Sequence, residues 1–476
     1  MINCGIRGEK MVIPRLVIAG IKSGVGKTSI ATGLMAALAR RGWRVQGFKV
    51  GPDYIDPGFH TVATGRASRN LDTFLVPPEG VLELFLRASQ GCDLAIVEGV
   101  MGLYDGRLED GSSSTAEVAK LLKAPVLLVV DVASLGQSAA ALVLGFCQLD
   151  PQINIAGVIL NRVSSNRHLE LVRGPIEKAT GVPVVGWISK GALPALPSRH
   201  LGLVPALEQE GIKGDIERLG LALEASLNLE EILKIARRAG PLPRPTETCF
   251  PSKFPVTKVP IALAWDKAFN FYYQDGLDYL SALGVEWIPF SPLKEEKLPD
   301  GIAGLVVGGG FPEVFLPELA SNKRMLHSVA QAAAQGLPLY AECGGLMYLS
   351  RGLRDHNGRY WPLAGVIPAL CRMEERLAGM GYRQARTLRH TLYTRPGEMV
   401  RGHEFHYSRL QPLQTFFPWA YSWPGTASSI FDGYAFNNIL ASYLHLHWVG
   451  NTKLAQRFVE ACRRYQKLGR GGKGRG

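Results

Sequence analysis

Residues 16–42 read LVIAGIKSGVGKTSIATGLMAALARRG, and no other stretch limits the fold so tightly. Leu16–Ala19 is a short apolar run of strand character that ends in a glycine-rich turn. Gly26, Lys27 and Thr28 open a segment in which Ile30, Leu34, Ala37 and Leu38 recur at helical spacing. A strand, a glycine turn and a helix in that order aim backbone N–H groups and a helix N-terminus at phosphate oxygens. A lysine at position 27 reaches the terminal phosphates of a nucleotide, and the Thr28 hydroxyl suits Mg²⁺. The strict motif would place a glycine at position 21, which is Ile21; the glycine stands one residue earlier, at Gly20.

The chain around this loop reads as two α/β blocks. LVIAG, WRVQGFKV, LAIVEG, PVLLVVDV and IAGVILNRV are short, often β-branched runs separated by helix-length segments, the pattern of a buried parallel sheet. PIALAW, GVEWIPF, GLVVGG and LPLYAEC repeat it after residues 241–260, a stretch with six prolines and no apolar period. Expected boundaries are a nucleotide-binding domain over 14–240, a linker over 241–258, a second doubly wound domain over 259–463, and a disordered basic tail over 464–476. With 476 residues, 46% of them apolar, the chain can bury more than one core. No apolar run has membrane length, the first residues lack a secretory pattern, and seven scattered cysteines suit a reducing cytoplasm. Lys+Arg number 53 against 41 Asp+Glu, a net +12 that suits nucleic acid, anionic lipid or a polyanionic small substrate. No aromatic RNA-binding segment or paired zinc knuckle accompanies the charge, so neither a nucleic acid nor a membrane is expected as partner.

Acids gather where strands leave the first sheet. Glu98 ends LAIVE and Asp105 follows in a glycine-rich loop; a carboxylate there is placed to hold Mg²⁺ directly or through water. KVGPDYIDPGFH carries Asp53, Tyr54, Asp56 and His60 on a Pro/Gly-punctuated loop, where acids suit a second metal position or substrate, while His60 alone reads as a surface histidine. Asn161 closes a strand where an amide can read an adenine edge. In the second block, GLPLYAECGGLMYL is a strand, Cys343, Gly344-Gly345 and a helix. A thiol on such a turn meets N–H groups and a helix dipole that favour thiolate. Gly308–Gly310, at the end of a strand, and the N–H of Gly344 suit an oxyanion hole, with Gly309 and Gly310 nearest the turn. Six histidines follow the cysteine; ASYLHLHWVG is the best-placed source of a base, and RGHEFHYS, with His403 and His406, is its competitor. No further ligands complete a zinc site around that pair.

These strings together resemble the cobyrinic acid a,c-diamide synthase family. SGVGKTS, KVGPDYIDPGFH, NLDTF, VEGVMGLYDG, SRHLGLVPA, AFNFYYQD, GGGFPE, AECGGLMYL, GHEFHYS and SYLHLHW occur in order across residues 14–463. Lys22-Ser23-Gly24-Val25-Gly26-Lys27-Thr28 resembles the variant phosphate loop of partition ATPases and dethiobiotin synthetases, in which the extra lysine often reaches a neighbouring subunit's nucleotide. A homodimer is thereby suggested. The resemblance implies a dethiobiotin-synthetase-like P-loop domain joined to a class I glutamine amidotransferase domain. It implies ATP, Mg²⁺ and glutamine as reactants and helpers, residues 22–28 with Asn161 as the nucleotide site, and Thr28, Asp53 and Glu98 as metal ligands. Asp53, Tyr54, Asp72 and Asp105 become candidate contacts to a cobyrinate-type macrocycle. Cys343 becomes the glutaminase nucleophile and His445 its base. Many class I glutaminases place a glutamate two residues after that histidine; here the position is His447, so the orienting group is unidentified. The implied reaction is ATP-dependent amidation of the a- and c-side-chain carboxylates. Hydrogenobyrinate and nickel-sirohydrochlorin are alternative substrates sharing every motif. A partition- or maturation-type ATPase is the rival of a different class, and it leaves the Cys343 turn without a purpose.

Overall fold

The apolar runs of the first half become one parallel sheet in a computed structural model that describes residues 12–107, 111–195, 197–199, 202–252, 255–425 and 428–471. Strands β1 (Arg15–Gly20), β2 (Val45–Val50), β3 (Arg69–Leu71), β4 (Leu94–Glu98), β5 (Val126–Asp131), β6 (Ile155–Val163) and β7 (Val184–Ser189) lie in the order β3-β2-β4-β1-β5-β6-β7. Every neighbouring pair is parallel. Every residue of β1, β2 and β4 is buried, which is why β1 and β4 read as largely continuous rather than alternating apolar runs, while β2 carries the buried Gln46 and Lys49. Strand order reverses about β1, so a crevice opens beyond its carboxyl end, where Gly20 leads into the phosphate loop.

Helix α1 (Lys27–Arg40) buries Ile30, Leu34, Ala37 and Leu38, but Ala31 and Met35 as well. The extra burial comes from the helix Ile212–Ser226, which covers the outer side of α1. Gly33 permits that approach: a Cβ there would stand 2.8 Å from Leu223 Cγ. Helix α2 (Asp56–Thr64) starts three residues after Asp53, whose Oδ1 accepts from Ile55 N (2.8 Å) and Asp56 N (3.0 Å) and so caps it.

The chain divides between Thr248 and Cys249 into two compact units. The proline-rich stretch contributes to both: Leu242 is buried in the first, and Phe250 packs edge-on against Tyr279 in the second. The second unit is built on a six-stranded sheet in the order Val285–Phe290, Val259–Ala264, Gly304–Val307, Leu339–Glu342, Ile439–Ser442, Tyr434–Phe436. All pairings are parallel except the last. Residues between 350 and 432, joined by the short strand His445–Leu446, form two further, largely antiparallel sheets of four and five strands. They were not expected, because exposed antiparallel strands alternate weakly and carry no continuous apolar run. The basic tail expected to be disordered from residue 464 instead begins as helix: Thr452–Gly471 is one element, and Tyr465 packs against the core. Residues 472–476 lie outside the described set. Among the described residues no helix is long and apolar enough to cross a membrane.

Candidate active sites

The first site forms where β1, β2 and β4 end together. Gly24 (φ 75°) and Gly26 (φ 95°) take left-handed conformations that let the loop turn into α1. Lys27 Nζ donates to Met101 O (2.5 Å) and Lys22 O (3.2 Å), closing the loop on itself. Burial, then the nearby Lys49 ammonium, pulls the Lys27 pKa down to about 8. Lys22 and Ser23 are exposed on the rim. Parallel register sets Lys49 of β2 beside Glu98 of β4. Lys49 Nζ contacts Glu98 Oε1 at 2.8 Å and Asp56 Oδ2 at 2.6 Å. Thr28 Oγ1 lies 2.7 Å from Glu98 Oε1 and 3.2 Å from Asp56 Oδ2, and His60 Nε2 meets Glu98 Oε2 at 2.6 Å. Burial alone would raise Glu98, but Lys49 and His60 outweigh it and hold the carboxyl well below its usual range. Burial, then Asp53 and Glu98, raises Asp56. One hydroxyl and two carboxylates converging beside a phosphate loop are hard oxygen donors of the kind Mg²⁺ takes.

The second site centres on Cys343, between the strand Leu339–Glu342 and the helix Gly344–Leu349. Its φ of 45° and ψ of −100° are a strained combination for a side-chain-bearing residue, costing on the order of 1–3 kcal/mol. Cys343 N donates to Ser442 O (2.7 Å) and Cys343 O accepts from Met347 N (3.0 Å), so sheet and helix both hold the turn. Burial is the largest effect on the thiol and pushes it up; Glu313 adds to this, against the N–H of Gly344. The thiolate expected from the helix terminus is therefore not the resting form. A dipole is worth roughly 0.3–1 kcal/mol, whereas full burial moves a pKa by up to 3–5 units, at about 1.4 kcal/mol each. The cysteine needs a base.

A histidine, His445, stands just beyond the end of the neighbouring strand. Leu339–Glu342 pairs in register with Ile439–Ser442, and the chain then crosses to the five-stranded sheet, where His445 pairs with His403. His445 Nδ1 lies 3.5 Å from Glu342 Oε2. A Cβ added at Gly309 would come 2.5 Å from His445 Cε1, so the glycine strand end lies directly against the imidazole. A Cβ on Gly344 would lie 3.2 Å from Gly310 N, which brings two backbone N–H groups to one side of the cysteine. The other histidines are spent elsewhere. His403 is buried and held neutral, its pKa lowered to about 3 by burial, then by His445 and Arg383. His406 stacks on Tyr443 at 3.9 Å and bonds Ser408 O and Glu404 Oε2.

A CobQ/CobB/MinD/ParA nucleotide-binding domain matches residues 16–204, and a CobB/CobQ-like glutamine amidotransferase domain matches residues 260–453. The cobyrinate a,c-diamide synthase of Dehalococcoides mccartyi strain CBDB1 is 44% identical over 456 residues, 94% of this chain and 98% of the relative. The hydrogenobyrinate a,c-diamide synthase of Streptomyces coelicolor is also 44% identical, over 485 residues, covering 95% and 98%. That of Priestia megaterium, a cobyrinate a,c-diamide synthase, is 42% identical over 454 residues, covering 95% and 98%. The chain belongs to the cobyrinate/hydrogenobyrinate a,c-diamide synthase family. Its architecture is that of the family, a P-loop domain followed by a class I amidotransferase domain.

Within this family frame, several residues singled out from the sequence change roles. Asp53, expected at the metal, uses its Oδ1 to cap α2, and Asp56, the first residue of that helix, is the acid that faces Thr28 and Glu98. Asp72 is buried and its Oδ1 accepts from Phe74 N and Leu75 N, each at 2.9 Å, which shapes a turn. Asp105 is exposed, and its Oδ2 accepts from Gly102 N (2.8 Å), again a turn-former. Asn161 braces the phosphate loop, with Nδ2 donating to Val25 O (2.8 Å) and Oδ1 accepting from Arg162 N (2.8 Å); one amide hydrogen is left for a base. His60 is fully buried rather than on the surface. Tyr54 is half-buried on the loop after β2. Lys49 and Glu342 went unread, since a lysine or glutamate inside a strand carries no local mark of function. Only a charged residue in an otherwise buried run hinted at either.

Proposed function

We propose that the chain is an ATP- and glutamine-dependent ligase that converts the a- and c-side-chain carboxylates of cobyrinate to amides. A carboxylate is a poor electrophile, so ATP is used to make an acyl phosphate, which ammonia then displaces. Residues 22–28 cradle the nucleotide, Lys27 faces its terminal phosphates, and Thr28, Asp56 and Glu98 hold Mg²⁺. When bound, Mg²⁺ neutralises charge developing on the transferred phosphoryl group. Lys49 keeps Glu98 ionised for that purpose and opposes the rise that burial imposes on Asp56, and Tyr54 lines the substrate side of the crevice.

The second unit supplies nitrogen. His445 Nε2 takes the proton of Cys343, and the sulfur attacks the glutamine amide carbon. The C–N bond then breaks, ammonia leaves with a proton returned from His445, and water hydrolyses the thioester to glutamate. The N–H groups of Gly310 and Gly344 face the oxyanion, and Gly309 holds the imbedded edge of the ring. The neutral resting thiol suits this order of events, because the base acts only once substrate is in place.

What carries the reading is the pairing, on one chain, of a phosphate loop facing converging carboxylates and a cysteine turn beside a glycine strand end that lies against His445. Mass spectrometry of the macrocycle after turnover tests it. Glutamine with ATP should add two amide groups, and Cys343→Ala should abolish this while free ammonium still supports it. Glutamate release by Cys343→Ala would overturn the site. Hydrogenobyrinate is the second reading, favoured by the equal identity to the Streptomyces relative; the ratio of turnover on the two purified macrocycles decides between them. The setting proposed is cytoplasmic, consistent with free cysteines at all six described positions.

A further inference from the structure

The carboxylate that class I glutaminases place two residues beyond the base is missing here, and the position is occupied by His447. His447 is buried, neither ring nitrogen has a hydrogen-bond partner among the described residues, and the ring stacks on Tyr273 at 4.9 Å. Burial lowers its pKa to about 3, so it is neutral and cannot stabilise a neighbouring imidazolium. Another anion must do so, or the base works alone.

We propose that Glu342, the residue immediately before the nucleophile, is the positioning carboxylate for His445. Glu342 is the last residue of its strand, in register with Ser442, and its side chain reaches the segment that follows Ser442. Its two oxygens have separate tasks. Oε1 is pinned: it accepts from Leu446 N at 2.9 Å and from the Tyr340 hydroxyl. Oε2 is thereby presented to His445 Nδ1 at 3.5 Å, with both side chains less than a tenth exposed. That separation is a charge contact, of the kind that tightens to a hydrogen bond as the ring takes up a proton. The bond to Leu446 N ties the carboxylate to the residue next to the base, so strand and imidazole move together. Glu342 fixes Nδ1–H as the ring's donor and leaves Nε2 to face Cys343, then stabilises the imidazolium formed when the thiol gives up its proton. It never touches substrate. The orienting carboxylate has thus moved from the base's strand to the nucleophile's strand.

The inference rests on Cys343 and His445 being the glutaminase pair, and the test separates the two claims. Glu342→Gln keeps shape and the Leu446 contact but removes the charge. It should lower kcat for glutamate release about 10–100-fold, leave the KM for glutamine within threefold, and leave ammonium-dependent ligation unchanged. The acid limb of the glutaminase pH profile should move to lower pH, because an imidazolium without its anion loses its proton more readily. A side chain that only pins Leu446 would leave kcat and the limb in place. Tyr340→Phe is the second variant, keeping the charge while removing a donor to it. The more basic carboxylate should move the limb to higher pH. Wild-type kcat and an unmoved limb in Glu342→Gln, or an unmoved limb in Tyr340→Phe, overturns the assignment. Glutaminase activity in Cys343→Ala would instead overturn the pair itself.

Discussion

Replacing Gly309 by alanine isolates the geometry of the base from its chemistry. Gly309 has an ordinary negative-φ backbone, so alanine meets no conformational penalty there and only space decides the outcome. The new methyl would lie 2.5 Å from His445 Cε1, 3.4 Å from its Nδ1 and 3.3 Å from Phe271 Cβ. Carbon atoms rest at about 3.5–4.0 Å, so the ring must yield by about 1 Å. The backbone cannot yield in its place, because Gly309 O accepts from both Asn270 N and Phe271 N at 3.1 Å. A displacement of that size at a reacting group costs about 10²-fold in rate, or about 2.7 kcal/mol of barrier. Glutamate release should therefore fall about 100-fold in kcat. Ammonium-dependent ligation, measured on the same preparation, should stay within twofold and serves as the control for folding. A Gly309→Ala enzyme that keeps its glutaminase kcat within threefold would show that His445 is not the base or does not lie against this strand end.

Two further outcomes concern the nucleotide site. The Lys27 pKa, pulled down to about 8 by burial and Lys49, makes the free enzyme lose this cation above that pH. Bound phosphates restore it, so the affinity for a non-hydrolysable ATP analogue should weaken by up to tenfold per pH unit from pH 8 upward. Calorimetric titration between pH 7 and pH 9.5 checks this, and a profile that stays flat would refute it. Asp56→Asn should cut Mg²⁺-dependent ligation by at least 100-fold, since it removes one of the two carboxyl groups beside Thr28 that would hold the ion (at about 1.4 kcal/mol per tenfold). Asp53→Ala should instead cost about 1 kcal/mol of stability, by removing the oxygen that accepts from Ile55 N and Asp56 N, and change the rate less than tenfold; equal losses in the two variants would contradict the assignment of roles.

The phosphate loop and the cysteine turn were legible because each is contiguous. In residues 16–42 the strand, the glycines and the helix follow one another, and the same holds from Leu339 to Leu349. Backbone geometry over a dozen residues is set by local preferences, so a motif of this kind announces both its shape and its chemistry. The apolar strands announced themselves for a related reason: burial on both faces of a parallel sheet leaves continuous apolar runs. The two largely antiparallel sheets built mostly from residues 350–432 stayed hidden because their exposed faces dilute that signal.

What the chain alone determined, then, was which residues bear the chemistry of each half and the order of elements that presents them. Tertiary structure decided which acid and which cation stand beside them. Asp53 and Asp56 are indistinguishable along the sequence; the start of α2 turns one into a cap and the other toward Thr28. Lys49 and Glu98 meet only because β2 and β4 pair in one register, and Glu342 faces His445 only because the chain leaves one sheet there and joins another. Such contacts depend on register and crossover, long-range quantities on which local preference has no hold, and a shift of one residue would send every one of these side chains to the opposite face.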